Sequence, residues 1–152
     1  MSQQAVHPNA TLQRLDAFTG KWKSEGETVA TDTEPSIKIS GTDSYEWLPG
    51  GFFMIHHVDV RMGEEQVNVI EMIGGHDSGD SSLPMRSFDH QGNFSVMHAT
   101  VDDHGVWTFS DEFSRATLTF GDDGSTMQAH WERRDERSDW QPWMEMRFTK
   151  MG

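Results

Sequence analysis

Three ionisable residues, Asp43, His56 and Glu71, are spaced so that they could meet on neighbouring β-strands. The segments around them alternate apolar and polar side chains, which is typical of strands with one buried face. Turn signals at residues 49–50 and 63–64 separate these segments, and a symmetric hairpin pairs residues whose numbers have a constant sum. We therefore predict that His56 lies opposite both Asp43 and Glu71, with Cβ atoms about 4.5–5.5 Å apart.

A histidine held between two carboxylates has two possible roles. It could act as a general acid–base, with Asp43 and Glu71 orienting His56 and with Tyr45 donating a hydrogen bond to a substrate. Alternatively, the three side chains form a polar belt that sets the strand register, helped by buried water. No nucleophile elbow, phosphate-binding glycine loop or local metal motif accompanies them, so both interpretations stay open.

The elements around this row predict an all-β protein, an up-and-down antiparallel β-barrel of about ten strands. Residues 1–8 are expected to be a flexible tail and residues 9–152 a single barrel domain. A short helix is predicted to begin at the capping residue Asn9 and to end at Gly20. Residues 74–82 form the one long predicted loop. The predicted strands are 22–30, 37–48, 52–61, 66–74, 83–89, 94–101, 106–110, 115–120, 125–133 and 140–150.

The turn positions predict specific cross-strand pairs. A turn centred on residues 49–50 places Tyr45 opposite Met54, and one centred on residues 122–123 places Leu118 opposite Met127. Both registers put apolar side chains opposite one another, as a correct register should.

The inward phase of these strands supplies candidate ligand contacts, namely Trp22, Trp47, Met54, Met85, His98, Trp107, Trp131 and Met144. Soft and aromatic side chains of this kind fill cores, and they also suit an adaptable apolar cavity. His98 is expected opposite Met85, where with His56 and a carboxylate it would form a two-histidine set suited to iron or zinc. That spacing is not local, so no metal site and no cofactor is predicted.

The composition excludes several classes of protein. There are 25 acidic and 12 basic residues, a formal net charge of −13, which disfavours nucleic acid and anionic membranes as partners. The chain has no cysteine and no apolar run of about 20 residues, so disulfides, thiolate catalysis and membrane-spanning helices are not expected. The N-terminus lacks a signal-peptide pattern, which predicts a cytoplasmic protein, with a homodimer as an open possibility.

Five sequence segments together support a resemblance to a known family over nearly the whole chain. In chain order they are GKWKSEG, EWLPGGFF, EMIGGHD, FDHQG and the closing WERRDERSDWQPWMEMRFTK. They are similar to an uncharacterised bacterial family of lipocalin-like barrels known as a domain of unknown function. The resemblance implies a calycin-type barrel with an internal cavity and carries no activity.

The first strand also resembles the glycine-rich opening of the nitrobindins, which are haem-binding barrels. Gly20, Trp22 and Gly26 match that pattern, whereas Ser24 replaces its middle glycine. Nitrobindins carry a haem-ligating histidine near the C-terminus, and residues 140–150 contain none here, so haem is not expected. Fatty-acid-binding barrels share the architecture more loosely, and a shared fold does not assign a function.

The function expected from these observations is binding of a small hydrophobic molecule in the lumen. The alternative is a cofactor-free enzyme of the isomerase, cyclase or hydratase type, with His56 as its acid–base. A third interpretation is a packed barrel without a cavity. The sequence leaves open whether the protein is an enzyme.

Overall fold

The computed structural model describes residues 10–75 and 82–152, which form a closed antiparallel β-barrel. The chain enters through a short helix, α1 (Ala10–Gln13), and a 3₁₀ helix (Arg14–Phe18). The cap predicted at Asn9, the tail at residues 1–8 and most of the predicted loop at 74–82 lie outside the described residues. Within them, the strands are β1 (Gly20–Thr28), β2 (Lys38–Trp47), β3 (Phe53–Met62), β4 (Glu65–Gly74), β5 (Leu83–Asp89), β6 (Phe94–Val101), β7 (Trp107–Ser110), β8 (Ser114–Phe120), β9 (Thr126–Arg133) and β10 (Gln141–Lys150).

The ten described strands follow one another around the barrel, and β10 returns to pair with β1, for example at Trp22 and Lys150. The predicted fold class is therefore confirmed. Each strand boundary lies within two residues of its predicted position, because alternating burial and turn residues mark strand ends clearly in this chain.

One end of the barrel is closed by residues 10–18, which we call the N-terminal plug. Leu12, Leu15 and Phe18 recur at helical spacing and are only 1%, 1% and 2% exposed. The ring of Phe18 packs edge-on against Trp107, with the centroids 5.4 Å apart. The indole of Trp22 donates a 2.8 Å hydrogen bond to the carbonyl oxygen of Phe18, which ties the plug to β1.

The hairpin between β3 and β4 has the predicted register, with His56 opposite Glu71. The hairpin between β2 and β3 does not, because Tyr45 lies opposite His56 rather than Met54. Its turn contains four residues, 49–52, and Leu48 N donates to Phe53 O at 2.9 Å across it. Gly50 and Gly51 make the longer turn possible, with φ of 109° and 76°.

The hairpin between β8 and β9 departs from its prediction in the same way. Leu118 lies opposite Ala129, two residues from the predicted partner Met127. Gly121 N donates to Thr126 O at 2.9 Å, so this turn also contains four residues rather than two. Because both shifts are even, every side chain of these strands keeps its predicted face.

Candidate functional site

A cavity of about 340 Å³ occupies the barrel interior, and the N-terminal plug forms its floor. Leu15 and Phe18 line it from below, and Phe18 contacts Tyr45, with ring centroids 5.2 Å apart. The far ends of the strands carry Trp131 and Trp143, whose rings meet at an angle of 83°. The walls between these ends are apolar and include Ile39, Val58, Val60, Met62, Val67, Val69, Ile73, Met85, Met97, Phe109, Met146 and Phe148.

The main polar group of the cavity is the row Asp43–His56–Glu71, which lies near the floor on β2, β3 and β4. Ser87 of β5, which pairs with Glu71, also lines the cavity. His56 Nδ1 is 3.0 Å from Glu71 Oε1, and His56 Nε2 is 2.7 Å from Asp43 Oδ2. Glu71 is directly opposite His56, as predicted, whereas Asp43 reaches it diagonally because of the shifted register. The side chains of His56, Asp43 and Glu71 are only 13%, 8% and 11% exposed.

A fourth member of the row, Ser24, was not predicted. Its hydroxyl donates a 2.5 Å hydrogen bond to Asp43 Oδ1, and Ser24 is fully buried. Ser24 occupies the position where the nitrobindin pattern has a glycine, and this departure was the available sequence signal. The hydroxyl supplies the carboxylate with the partner that burial demands.

The row favours a protonated histidine. Burial would lower the pKa of His56, because it disfavours the charged imidazolium. The hydrogen bonds to Asp43 and Glu71 and the charges of both carboxylates outweigh burial and raise the pKa of His56 from 6.5 to about 9. At neutral pH His56 is therefore a cation that donates from both ring nitrogens.

Tyr45 lies against this row. Its ring stacks on the imidazole of His56 with centroids 4.0 Å apart and planes 10° apart. Burial, followed by repulsion from Asp43 and Glu71, raises the pKa of Tyr45 well above its usual value of 10. The phenol is therefore a hydrogen-bond donor at any physiological pH. Its hydroxyl makes no hydrogen bond to any residue in the described part of the chain.

The predicted ligand-binding residues divide into those that line the cavity and those that do not. Met85, Trp131 and Met144 line it. Trp22, Met54 and Trp107 are buried at 0%, 0% and 2% exposure in the core and do not line the cavity. Trp47 also lies outside it, and its indole donates a 2.8 Å hydrogen bond to Asp16 of the plug. The alternation placed these four on inward faces but could not show which inward faces the cavity takes. Three of them contact the N-terminal plug instead, Trp22 and Trp107 through Phe18 and Trp47 through Asp16.

The inward orientation predicted for His98 is wrong. His98 is exposed and lies opposite Pro84, whereas Met97 is the residue that lies opposite Met85 and lines the cavity. Phe94 lies on the same face of β6 as His98, and its apolar side chain suggested that this face points inward. Phe94 is in fact exposed and packs against Phe88 on the outer surface, with ring centroids 5.2 Å apart. The set of His56, His98 and a carboxylate is therefore not assembled.

His56 is the one histidine among the described residues that line the cavity, and both of its ring nitrogens are engaged. Residues 10–75 and 82–152 contain no group of three or more His, Asp or Glu side chains placed to hold a metal ion. No helix in the same residues is both long enough and apolar enough to cross a membrane.

A further lining residue that the sequence did not single out is Trp143. The pairing of β9 and β10 is irregular between Pro142 and Met144, and Trp143 at this irregularity lines the cavity together with Met144. Trp140 does not line the cavity, and the guanidinium groups of Arg115 and Arg134 are each 4.4 Å from its ring centroid.

Comparisons with known proteins support the fold and assign no activity. Residues 7–81, just under half of the chain, match a family model described as "Protein of unknown function (DUF1579)". The crystal structure of Rv2717c from M. tuberculosis is similar, with a TM-score of 0.69 over 93% of this chain and 97% of that chain. The two sequences are 12% identical, so this similarity concerns the fold alone. No curated protein is significantly similar in sequence.

Proposed function

We propose that this protein binds a small, largely apolar molecule in the lumen of a lipocalin-like barrel. The observation that carries the proposal is the cavity of about 340 Å³, with mostly apolar walls and the row Asp43–His56–Glu71 at its floor. Pockets for small molecules typically measure about 300–1,000 Å³ and combine apolar walls with a few polar groups that fix orientation.

The cavity argues against the packed-barrel interpretation. Protein interiors are close-packed, and voids larger than a water molecule are few. Two of the inward side chains of β4, Val67 and Val69, are only half-buried although they lie on the inner face. A barrel built only for rigidity would gain stability from larger side chains at these positions.

The alternative of a cofactor-free enzyme acting on a hydrophobic metabolite has less support. An acid–base must exchange its proton with the bound molecule, but Asp43 and Glu71 occupy both nitrogens of His56. With a pKa of about 9, His56 also holds its proton at neutral pH. We therefore favour binding over catalysis.

The cytoplasmic location, the homodimer, and the exclusion of nucleic acid and membranes stay predictions.

The test is a titration with an apolar fluorescent probe, compared between two matched variants. Binding is followed by the change in total tryptophan emission, to which Trp131 and Trp143 in the cavity contribute. Val69→Phe places a larger side chain in the cavity, and Val96→Phe makes the same change on the outer surface, where Val96 is 39% exposed. We expect Val69→Phe to weaken probe binding about tenfold or more, and Val96→Phe to leave it unchanged.

Mass spectrometry of the freshly purified protein, first native and then denatured, adds an independent readout. A co-purified small molecule that Val69→Phe abolishes and Val96→Phe retains would support the lumen as the site. Equal probe affinity in both variants would overturn the proposal, because binding would then occur elsewhere.

A further inference from the structure

The polar row has more negative charge than positive charge. With both carboxylates ionised and His56 protonated, Asp43, His56 and Glu71 together carry one uncompensated negative charge. Among the described residues that line the cavity, none is lysine or arginine. A buried charge without a partner is costly, so the row needs a further cation or proton donor.

The available acceptor is on Glu71. Both oxygens of Asp43 are occupied, Oδ1 by the hydroxyl of Ser24 at 2.5 Å and Oδ2 by His56 at 2.7 Å. Glu71 Oε1 is occupied by His56 at 3.0 Å, whereas Glu71 Oε2 has no hydrogen-bond partner within residues 10–75 and 82–152. Glu71 lines the cavity, and 11% of its side-chain surface is accessible.

The hydroxyl of Tyr45 is a second unused group at the same place. Tyr45 lines the cavity, is 7% exposed and, in the part of the chain that the structure describes, makes no hydrogen bond through its hydroxyl. A buried hydroxyl is normally paired, because leaving it unpaired lowers the stability of the fold. Its own lone pairs can accept from an N–H group that also binds a carboxylate.

We propose that the ligand is a cationic amphiphile, an amine whose protonated N–H group binds at the floor of the cavity beside Glu71 and Tyr45 and whose apolar body fills the lumen. This inference rests on the proposed binding function and names its ligand class. The ammonium group restores charge balance to the row and forms a charge-assisted hydrogen bond with Glu71.

The charge of the whole chain favours the same class. A formal net charge of −13 attracts cations and repels anions. A fatty-acid carboxylate would be repelled by this field on approach. At the floor of the cavity it would be repelled again by the uncompensated negative charge of the row. The row therefore discriminates against the anionic ligands that an apolar cavity alone would accept.

The test uses three probes of equal chain length that differ only in the head group: decylamine, decanol and decanoate. Isothermal titration calorimetry at pH 7 measures their affinities for the unmodified protein. We expect decylamine to bind about tenfold more tightly than decanol, and decanoate to bind more weakly than both.

Variants then locate the head group. Glu71→Gln is expected to remove most of the preference for decylamine over decanol while leaving decanol affinity within about twofold, since the apolar contacts persist. Tyr45→Phe is expected to weaken decylamine by a smaller factor of about three. Glu46→Gln removes an exposed carboxylate from the same strand as Tyr45 and is expected to change nothing, which controls for the overall charge.

The outcomes separate this inference from the proposed function. If none of the three probes binds, the lumen-binding proposal itself fails. If decanol or decanoate binds as tightly as decylamine, lumen binding stands and the cationic ligand class is overturned. A preference for decylamine that Glu71→Gln does not reduce would also overturn it, because the preference would arise from the overall field rather than from the row.

Discussion

The imidazole of His56 lies flat on the phenol ring of Tyr45, with the ring centroids 4.0 Å apart and the planes inclined by 10°. Because Asp43 and Glu71 keep His56 protonated, this contact places a cation on the face of an aromatic ring. The ring of Tyr45 also contacts Phe18 of the N-terminal plug, with the centroids 5.2 Å apart. The polar row and the apolar floor of the cavity are thus joined through one side chain.

The first prediction concerns pH. His56 has a pKa of about 9 in the folded protein and 6.5 in the unfolded chain, so its protonation stabilises the fold. That contribution is complete below pH 6.5 and is lost as the pH rises through 9. A shift of this size corresponds to about 3 kcal/mol in the free energy of unfolding.

Urea denaturation at a series of pH values, followed by tryptophan fluorescence, measures this loss. A His56→Asn variant should show a much smaller change over the same pH range. Titration of the His56 ring protons by NMR gives the pKa directly, and a value near 6.5 would contradict the prediction.

The second prediction concerns Ser24. Replacing it with alanine leaves Asp43 Oδ1 buried without its donor, so Ser24→Ala should lower the free energy of unfolding by about 1–3 kcal/mol. Ser40 lies on the outer, exposed face of the barrel, and Ser40→Ala should change stability by less than about 0.5 kcal/mol. Equal stabilities of the two variants, measured by denaturation, would mean that Asp43 does not depend on the serine hydroxyl.

The third prediction separates the ring of Tyr45 from its hydroxyl. Tyr45→Phe keeps the stacking on His56 and removes a buried hydroxyl that has no partner within the described residues, so the free energy of unfolding should not fall and should rise by up to about 1–3 kcal/mol. Tyr45→Leu removes the contacts with both His56 and Phe18 and should cost about 2–4 kcal/mol. A large loss of stability in Tyr45→Phe would reveal that the hydroxyl is already satisfied.

The fourth prediction concerns the close approach of β2 and β3. Gly41 has a φ of 154°, and a Cβ atom there would lie 2.2 Å from the carbonyl oxygen of Asp59 and 2.6 Å from Cα of Val60. Backbone atoms cannot move aside cheaply, so Gly41→Ala should cost more than about 3 kcal/mol or prevent folding. Gly92 has a φ of 85° but open space around it, so Gly92→Ala should cost only about 1 kcal/mol. Thermal melting of both variants gives the comparison.

The barrel and its strands could be predicted because alternation and turn residues are local signals. The row of Asp43, His56 and Glu71 could be predicted although the register of one hairpin was wrong by two residues. A register error of two residues moves a side chain along the strand but leaves it on the same face, so the four-residue turn at 49–52 displaced Asp43 without removing it from the row.

The errors arose where the two faces of a strand are chemically similar. On β6 the outer face carries Phe94 and the inner face carries Met97, so alternation alone did not reveal which face is inside. The share of the interior taken by the N-terminal plug was also not predictable, because it depends on how Phe18 packs among residues distant in sequence. Sequence periodicity contains no information on such tertiary competition.

The seam where β1 pairs with β10 has a consequence for synthesis. Trp22 and its neighbours find their second strand partner only in residues 144–150, which are synthesised after the other nine strands. The nine earlier strands can form a curved meander but expose two unpaired edges until β10 is added, and such edges invite association with other chains. We therefore expect closure of the barrel to be the last step of its folding, and chains stalled before β10 to depend on chaperones.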